Sequence, residues 1–289
     1  MNKQLRAVVS GGAGFLGSAL VKKLLSEGCR ATAAVKRENR VTDELRLLGA
    51  DIVVYDASAL PDPEIKKEDF DVFYHFAWDG TSPEARNDRE RQFDNTAQCL
   101  SAVKTASALG CRLFVFAGSQ AEYGRQTGAI RENAECSPIS EYGKAKLFAA
   151  SECERLALSL GMKFLHLMIF NVYGPGDREN SLVGLCCRTF EYGGSALLGG
   201  CTQLWNYLYI KDFVRAVYRL SLVCCSEADL PASMKVNIAS GTSRPLYEYV
   251  DLIYEKRLLN KGPAVTVIGG GHGLSVLLRG IKKATTNVT

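Results

Sequence analysis

The sequence predicts an α/β fold, a doubly wound parallel sheet with helices on both faces, and three features predict it. Short apolar runs alternate with amphipathic stretches. A glycine-rich turn joins the first run to the first helical stretch. Low-complexity tracts that would break the alternation are absent.

The runs at 7–10, 31–35, 52–55, 72–76 and 113–117 are predominantly apolar, as strands buried on both faces are. Between them, 15–27 and 84–109 read as helices, followed by a helix over 141–160 and a strand over 163–169. After Asn171 the alternation loosens into glycine-rich turns, a short strand over 205–210 and a helix over 212–222. This division predicts a sheet domain over 1–172 and a smaller C-terminal lobe over 173–260, which may return one strand to the sheet. Residues 261–289 form a separate appended segment.

The 289 residues suffice for one large domain or two modest ones. Hydrophobic residues make up 47% and charged residues 23%, and the net charge is only +4 with cations scattered among acids, so no nucleic-acid partner is expected. No apolar run is long enough to cross a bilayer. Lys3 and Arg6 precede an apolar stretch that ends at Ser10, too short for a signal-peptide core, so a cytoplasmic protein is expected. There are ten cysteines and three histidines, with no Cys-x-x-Cys pair; a metal site is not expected, and the cysteines read as small buried residues.

Gly11, Gly14 and Gly17, with Gly12 between the first two, fall between a strand and a helix. That order is the phosphate-binding turn of a Rossmann-type sheet. Glycines let a pyrophosphate approach the backbone, and the helix start (Phe15, Leu16) offers N–H groups and a positive dipole end. Lys36 and Arg37 end the second strand, where an acid would hold ribose hydroxyls; cations there suit a 2′-phosphate and favour NADP, with NAD as the alternative. Asp56, with Ala57 beside it, follows the third strand and can meet the adenine amino group or cap the next helix.

Tyr142 and Lys146 are four residues apart, hence on one helix face. A lysine beside a tyrosine favours the phenolate, and such a phenol can exchange a proton with a sugar oxygen while hydride moves at carbon. Ser119, after the fifth strand, can add a hydrogen bond to that oxygen.

Ser-Gly-Gly-Ala-Gly-Phe-Leu-Gly, Gly-Ser-Gln-Ala-Glu-Tyr-Gly, Glu-Tyr-Gly-Lys-Ala-Lys and Asn-Val-Tyr-Gly-Pro-Gly resemble, in order, the motifs of the extended short-chain dehydrogenase/reductase (NAD-dependent epimerase/dehydratase) family. The resemblance covers about residues 5 to 257 and implies nucleotide-sugar substrates and a homodimer. By motif it makes Ser119, Tyr142 and Lys146 the catalytic triad, His75, Phe76 and Ala77 a segment lining the cofactor, and Asn95 a further cofactor residue. It places Gln120, Asn171, Asn180, Trp205 and Tyr207 on the substrate side, with Asp212 closing the segment that begins at Trp205. Sugar dehydratases of this kind carry Asp-Glu after the catalytic hydroxyl; Gln120 and Ala121 stand there instead, which argues against dehydration.

A 4-keto-6-deoxysugar nucleotide reductase and a C4 epimerase with retained NAD both remain, and Lys36 and Arg37 favour the reductase. A protein that binds NADP without turnover, as a sensor or RNA partner, is the reading from another class. Residues 264–289 repeat a strand, a glycine loop (Gly269, Gly270, Gly271, His272, Gly273) and a helix, and resemble the N-terminus of the gluconeogenesis-factor family. One such unit cannot bury its own strand. The segment is therefore expected to be a join of two genes that leaves the substrate lobe truncated; a divergent element packed on that lobe is the alternative.

Overall fold

The computed structural model describes residues 4–54 and 70–260. The elements run β1 (Arg6–Ser10), α1 (Phe15–Ser26), β2 (Arg30–Val35), α2 (Arg40–Leu47), β3 (Asp51–Val54), β4 (Val72–His75), α3 (Arg89–Ala108), β5 (Leu113–Ala117), α4 (Glu141–Ser159), β6 (Lys163–Ile169) and β7 (Asn171–Tyr173). There follow α5 (Leu182–Glu191), β8 (Leu204–Trp205), β9 (Tyr207–Tyr209), α6 (Ile210–Ser226), β10 (Ser233–Ile238), β11 (Arg244–Pro245) and α7 (Leu246–Asn260).

Seven strands form one sheet in the order β10-β6-β5-β4-β1-β2-β3, and every pairing is parallel. The order reverses between β1 and β4, and ligands of open parallel sheets bind beyond the strand ends at such a point. Ser10 ends β1 in register with His75 at the end of β4.

Successive residues of each strand alternate between two cores. Ala7, Val9, Tyr74, Val115 and Leu167 join Leu20, Leu24, Phe213 and Val217 in one core. Val8, Phe73, Phe114, Phe116 and Phe164 join Cys99, Ala102, Ala149, Cys153 and Ala157 in the other. In this second core the sheet supplies the bulk and the helices supply small side chains. Phe73, Phe114 and Phe164 stack across the strands, with ring centroids 5.6 and 6.2 Å apart, while alanines and cysteines let α3 and α4 come close.

Two expected elements divide. The helix expected over 84–109 becomes a short 3-10 turn, Ala85–Asn87, then α3, because Asp88 turns extended and its side chain caps Arg91 N at 3.2 Å. The strand expected over 205–210 breaks at Asn206 into β8 and β9, and the next helix begins earlier, at Ile210. β9 pairs with β7, whereas β8 pairs antiparallel with β11.

The chain forms two compact units. The first holds the described residues up to Gly174 together with Tyr207–Ser240; β10, parallel to β6, extends its sheet. The second holds Pro175–Asn206 and the described residues from Gly241. Within it, Phe190 of α5 meets Tyr254 of α7 edge to face at 5.4 Å, and Asn206 Nδ2 donates to Thr242 O at 2.8 Å. Among the described residues, no helix is long and apolar enough to cross a membrane. Six of the ten cysteines are buried and Cys187 is exposed.

Candidate active site

The turn after β1 is shaped by what its glycines exclude. Gly11 has a φ of +72°, and a Cβ there would lie 2.7 Å from Ala77 N and 2.9 Å from Phe76 C. A Cβ on Gly12 would lie 2.7 Å from Ala33 Cβ, and one on Gly17 would strike the Gly11 carbonyl. Gly14 starts α1 and, having no side chain, offers no cap to the first-turn N–H groups. Phe15 and Leu16 pack partly buried against the first core. This is a cradle that fits a dinucleotide pyrophosphate.

Around the cradle, Phe76 lies between Tyr74 and Phe213, at 6.4 and 6.1 Å between rings, and Ala77 faces Gly11. His75 is buried; its Nδ1 is 2.7 Å from Ser10 Oγ and its Nε2 3.2 Å from Cys99 Sγ. Asn95 is 2% exposed and spends its amide on the loop after β4: Oδ1 accepts from Asp79 N at 2.7 Å, and Nδ2 donates to Arg91 O and Asp79 O. It thus fixes the course of that loop. Lys36 and Arg37 leave β2 exposed to solvent. The Asp79 carboxyl is held below its ordinary range by the Arg91 guanidinium, with Gly80 N–H and the Lys36 charge acting in the same direction. Asp56 and Ala57 lie outside the described residues.

Tyr142 and Lys146 share the buried face of α4, 8% and 3% exposed. Lys146 Nζ donates to Ala117 O at 2.7 Å, at the end of β5, and lies 3.7 Å from the Trp78 ring centroid and 5.9 Å from that of Tyr142. Burial lowers the Lys146 pKa to about 8, opposed by negative charge on Cys99, Glu122 and Cys153. Tyr142 meets Trp78 edge to face at 6.0 Å, and the Arg86 guanidinium lies 4.9 Å from its ring centre. Ser119 caps the short turn Gln120–Glu122, its Oγ accepting from Ala121 N at 3.2 Å. That turn packs on the start of α4 so closely that a Cβ on Gly143 would strike Ala121 O. Ser119, Tyr142 and Lys146 are therefore gathered where β5 ends.

Gln120 is half-buried in the Ser119-capped turn. Asn171 opens β7 in register with Tyr207 on β9, whose ring stands edge-on to Tyr173 at 5.9 Å. Asn180 is exposed just before α5, and the Trp205 carbonyl accepts from Tyr249 OH at 3.2 Å; both belong to the second unit.

Sequence reasoning passed over Trp78, Glu122 and Gln92. Trp78 follows the noted His75-Phe76-Ala77 run directly and donates from Nε1 to buried Gln92 at 2.9 Å. Glu122 stands inside the quoted serine motif, one residue beyond the pair weighed for dehydration. Among the described residues, no group of three or more His, Cys, Asp or Glu is placed to hold a metal ion.

A parallel sheet with this strand order, a glycine cradle after β1 and a buried tyrosine–lysine pair beside the end of β5 defines an oxidoreductase of the extended short-chain dehydrogenase/reductase type. The chain belongs to the NAD dependent epimerase/dehydratase family, whose model matches residues 7–224. It is 27% identical over 259 residues to the dTDP-6-deoxy-L-talose 4-dehydrogenase (NAD(P)(+)) of Kitasatospora kifunensis, covering 87% of this chain and 79% of that protein. It is 27% identical over 202 residues to the UDP-glucose 4-epimerase of Azospirillum brasilense, covering 67% of this chain but only 57% of that one. Among solved structures it is similar to MoeE5 in complex with UDP-glucuronic acid and NAD, with a TM-score of 0.72 and 27% identity over 87% of this chain and 82% of that one. A segment of 39 residues is 64% identical to a putative gluconeogenesis factor of Clostridium acetobutylicum, 14% of this chain and 9% of that protein. The C-terminal segment read as resembling that family, 264–289, lies outside the described residues.

Proposed function

We propose that the protein reduces a 4-keto-6-deoxysugar nucleotide with NADPH. The observation that carries this reading is the Tyr142–Lys146 pair, buried together beside Ser119, with no acid–base pair at Gln120 and Ala121. The relative from Kitasatospora kifunensis is named for the 4-dehydrogenation of a nucleotide 6-deoxysugar, the same bond worked in the opposite direction.

The backbone of Gly11 to Gly17 and the start of α1 would hold the pyrophosphate, and Lys36 and Arg37 would meet the 2′-phosphate that distinguishes NADP. A reduced nicotinamide held in this cradle would supply the hydride that the ketone carbon requires. Tyr142 gives its phenolic proton to the ketone oxygen as negative charge develops there. The Lys146 ammonium stabilises the resulting phenolate. Ser119 already accepts from Ala121 N, which leaves its O–H to donate to the same oxygen. Gln120, Asn171 and Tyr207, all of the first unit, are assigned to the sugar nucleotide, and Asn95 serves the cofactor by fixing the loop after β4. The protein acts as a homodimer in the cytoplasm.

The test uses the purified full-length chain. NADPH oxidation with dTDP-4-keto-6-deoxyglucose is the expected result. Protein that arrives with tightly retained NAD and interconverts UDP-glucose and UDP-galactose establishes the epimerase instead, a reading favoured by the similarity to the Azospirillum brasilense enzyme. Residues 261–289 are read as a gluconeogenesis-factor-like fragment joined to this chain. Removing them is expected to leave the melting temperature within about 2 °C; a loss of 1 kcal/mol alone lowers it by roughly 2–4 °C in a chain of this size.

A further inference from the structure

Glu122 has no part in the reaction just described, yet its side chain is fully buried. A carboxylate withdrawn from water is costly unless its oxygens are paired. Oε1 accepts from Ser119 N at 2.7 Å, whereas Oε2, 3.1 Å from His166 Nε2, makes no hydrogen bond, so the Ser119 amide is the contact that satisfies the buried carboxyl. His166 comes from β6, in register with Phe116, and its ring stands edge-on to Phe116 at 5.6 Å. The pair fills the space behind the serine. A Cβ on Gly118 would lie 2.7 Å from Glu122 Oε1 and 2.6 Å from His166 Cδ2, so a larger residue before Ser119 would displace this pair.

The main chain from Ala117 to Ser119 is thereby gripped at both ends. Lys146 binds the Ala117 carbonyl at 2.7 Å, and Glu122 binds the Ser119 amide. An acid that only capped a short turn would sit at the surface with its second oxygen in water. Here that oxygen is shut away from water beside the His166 ring of the neighbouring strand without a hydrogen bond of its own, so the carboxyl is kept in place by packing on β6 and by the Ser119 amide.

We infer that Glu122, backed by His166, is a positioning residue that holds the Ser119 backbone so that the serine hydroxyl is presented beside Tyr142. This rests on the catalytic reading of Ser119 and Tyr142 given above. Glu122 touches no reacting atom; it acts through Ser119, so its effect depends on the serine being there.

The experiment is a double-mutant cycle on the full chain, with dTDP-4-keto-6-deoxyglucose and NADPH as probes. Glu122→Ala lowers kcat about 30-fold while the KM for NADPH stays within about twofold. Glu122→Gln, which keeps an acceptor oxygen for the Ser119 amide, recovers kcat to within about threefold of the parent. In a Ser119→Ala background the Glu122→Ala change costs less than about twofold, because the group it positions is gone. Amide exchange at Ser119 gives a readout free of turnover: faster in Glu122→Ala, near parental in Glu122→Gln. If Glu122→Ala is recovered unfolded, His166→Gln runs through the same cycle, with a loss of about threefold that vanishes in Ser119→Ala. Parental kcat in Glu122→Ala, an undiminished loss in the Ser119→Ala background, or unchanged Ser119 exchange overturns the inference. Tyr142→Phe is measured alongside: retained turnover there defeats the catalytic reading, and the exchange data still decide the Glu122 role.

Discussion

The glycine turn after β1 and the tyrosine–lysine helix α4 serve the same edge of the parallel sheet by opposite means. The turn works through absence: Gly11, Gly12 and Gly17 leave backbone exposed where any Cβ would collide with Ala77, Ala33 or the Gly11 carbonyl. The helix works through burial: Tyr142 and Lys146 are packed under Trp78 and Arg86, and the ammonium loses most of its water. A site made of backbone is broken by added bulk. A site made of buried charge is broken by losing a partner, so substitutions on the two sides should fail in different observables.

The largest effect is expected on the helix side. Lys146→Met should lower kcat by about 10²–10³-fold with NADPH affinity within a few-fold, measured by initial rates and cofactor titration. The same variant sharpens the comparison through pH. Folded Lys146 gives up its proton near pH 8 rather than 10.5, so the unfolded chain binds the extra proton in that window and stability rises with pH through it. Urea midpoints of the parent should increase from pH 8 to 10 relative to Lys146→Met; parallel curves would mean the ammonium is not desolvated as described.

On the turn side, Gly17→Ala should cost about 2 kcal/mol or more and weaken cofactor binding, seen as a fall of roughly 5 °C or more in melting temperature. Trp78→Leu removes the ring beneath the ammonium and the edge contact with Tyr142, and should lower kcat about tenfold, with Trp78→Phe intermediate. Smallest is the double change Lys36→Ala, Arg37→Ala. It should weaken NADPH binding about fivefold relative to NADH in competitive titration, as the proposed 2′-phosphate contact requires, while leaving kcat nearly unchanged, since both side chains are exposed and screened by salt.

The strands were legible because burial on both faces leaves predominantly apolar runs: β5 and β6 fall where 113–117 and 163–169 read as strands. The glycine turn was legible because its chemistry is local. The split of the long helix at Asp88 was missed, since a capping aspartate inside a helical pattern looks like a solvated one. Asn206 likewise hid a break, because its amide is spent on Thr242, far along the chain. The triad was read as spacing and motif, but its surroundings were not. Trp78 reaches Lys146, and Glu122 reaches His166, only after the sheet has brought β4, β5 and β6 side by side. Contacts of that range leave no periodic trace in a sequence.

The proposed reaction turns on the Tyr142 phenol moving the proton in the chemical step. Tyr142→Phe keeps the ring that packs against Trp78 and Arg86 and removes only the hydroxyl. Single-turnover NADPH oxidation with dTDP-4-keto-6-deoxyglucose should slow by about 10³-fold or more, with NADPH binding and melting temperature unchanged. A rate within about tenfold of the parent, in protein that still binds NADPH, would contradict the account.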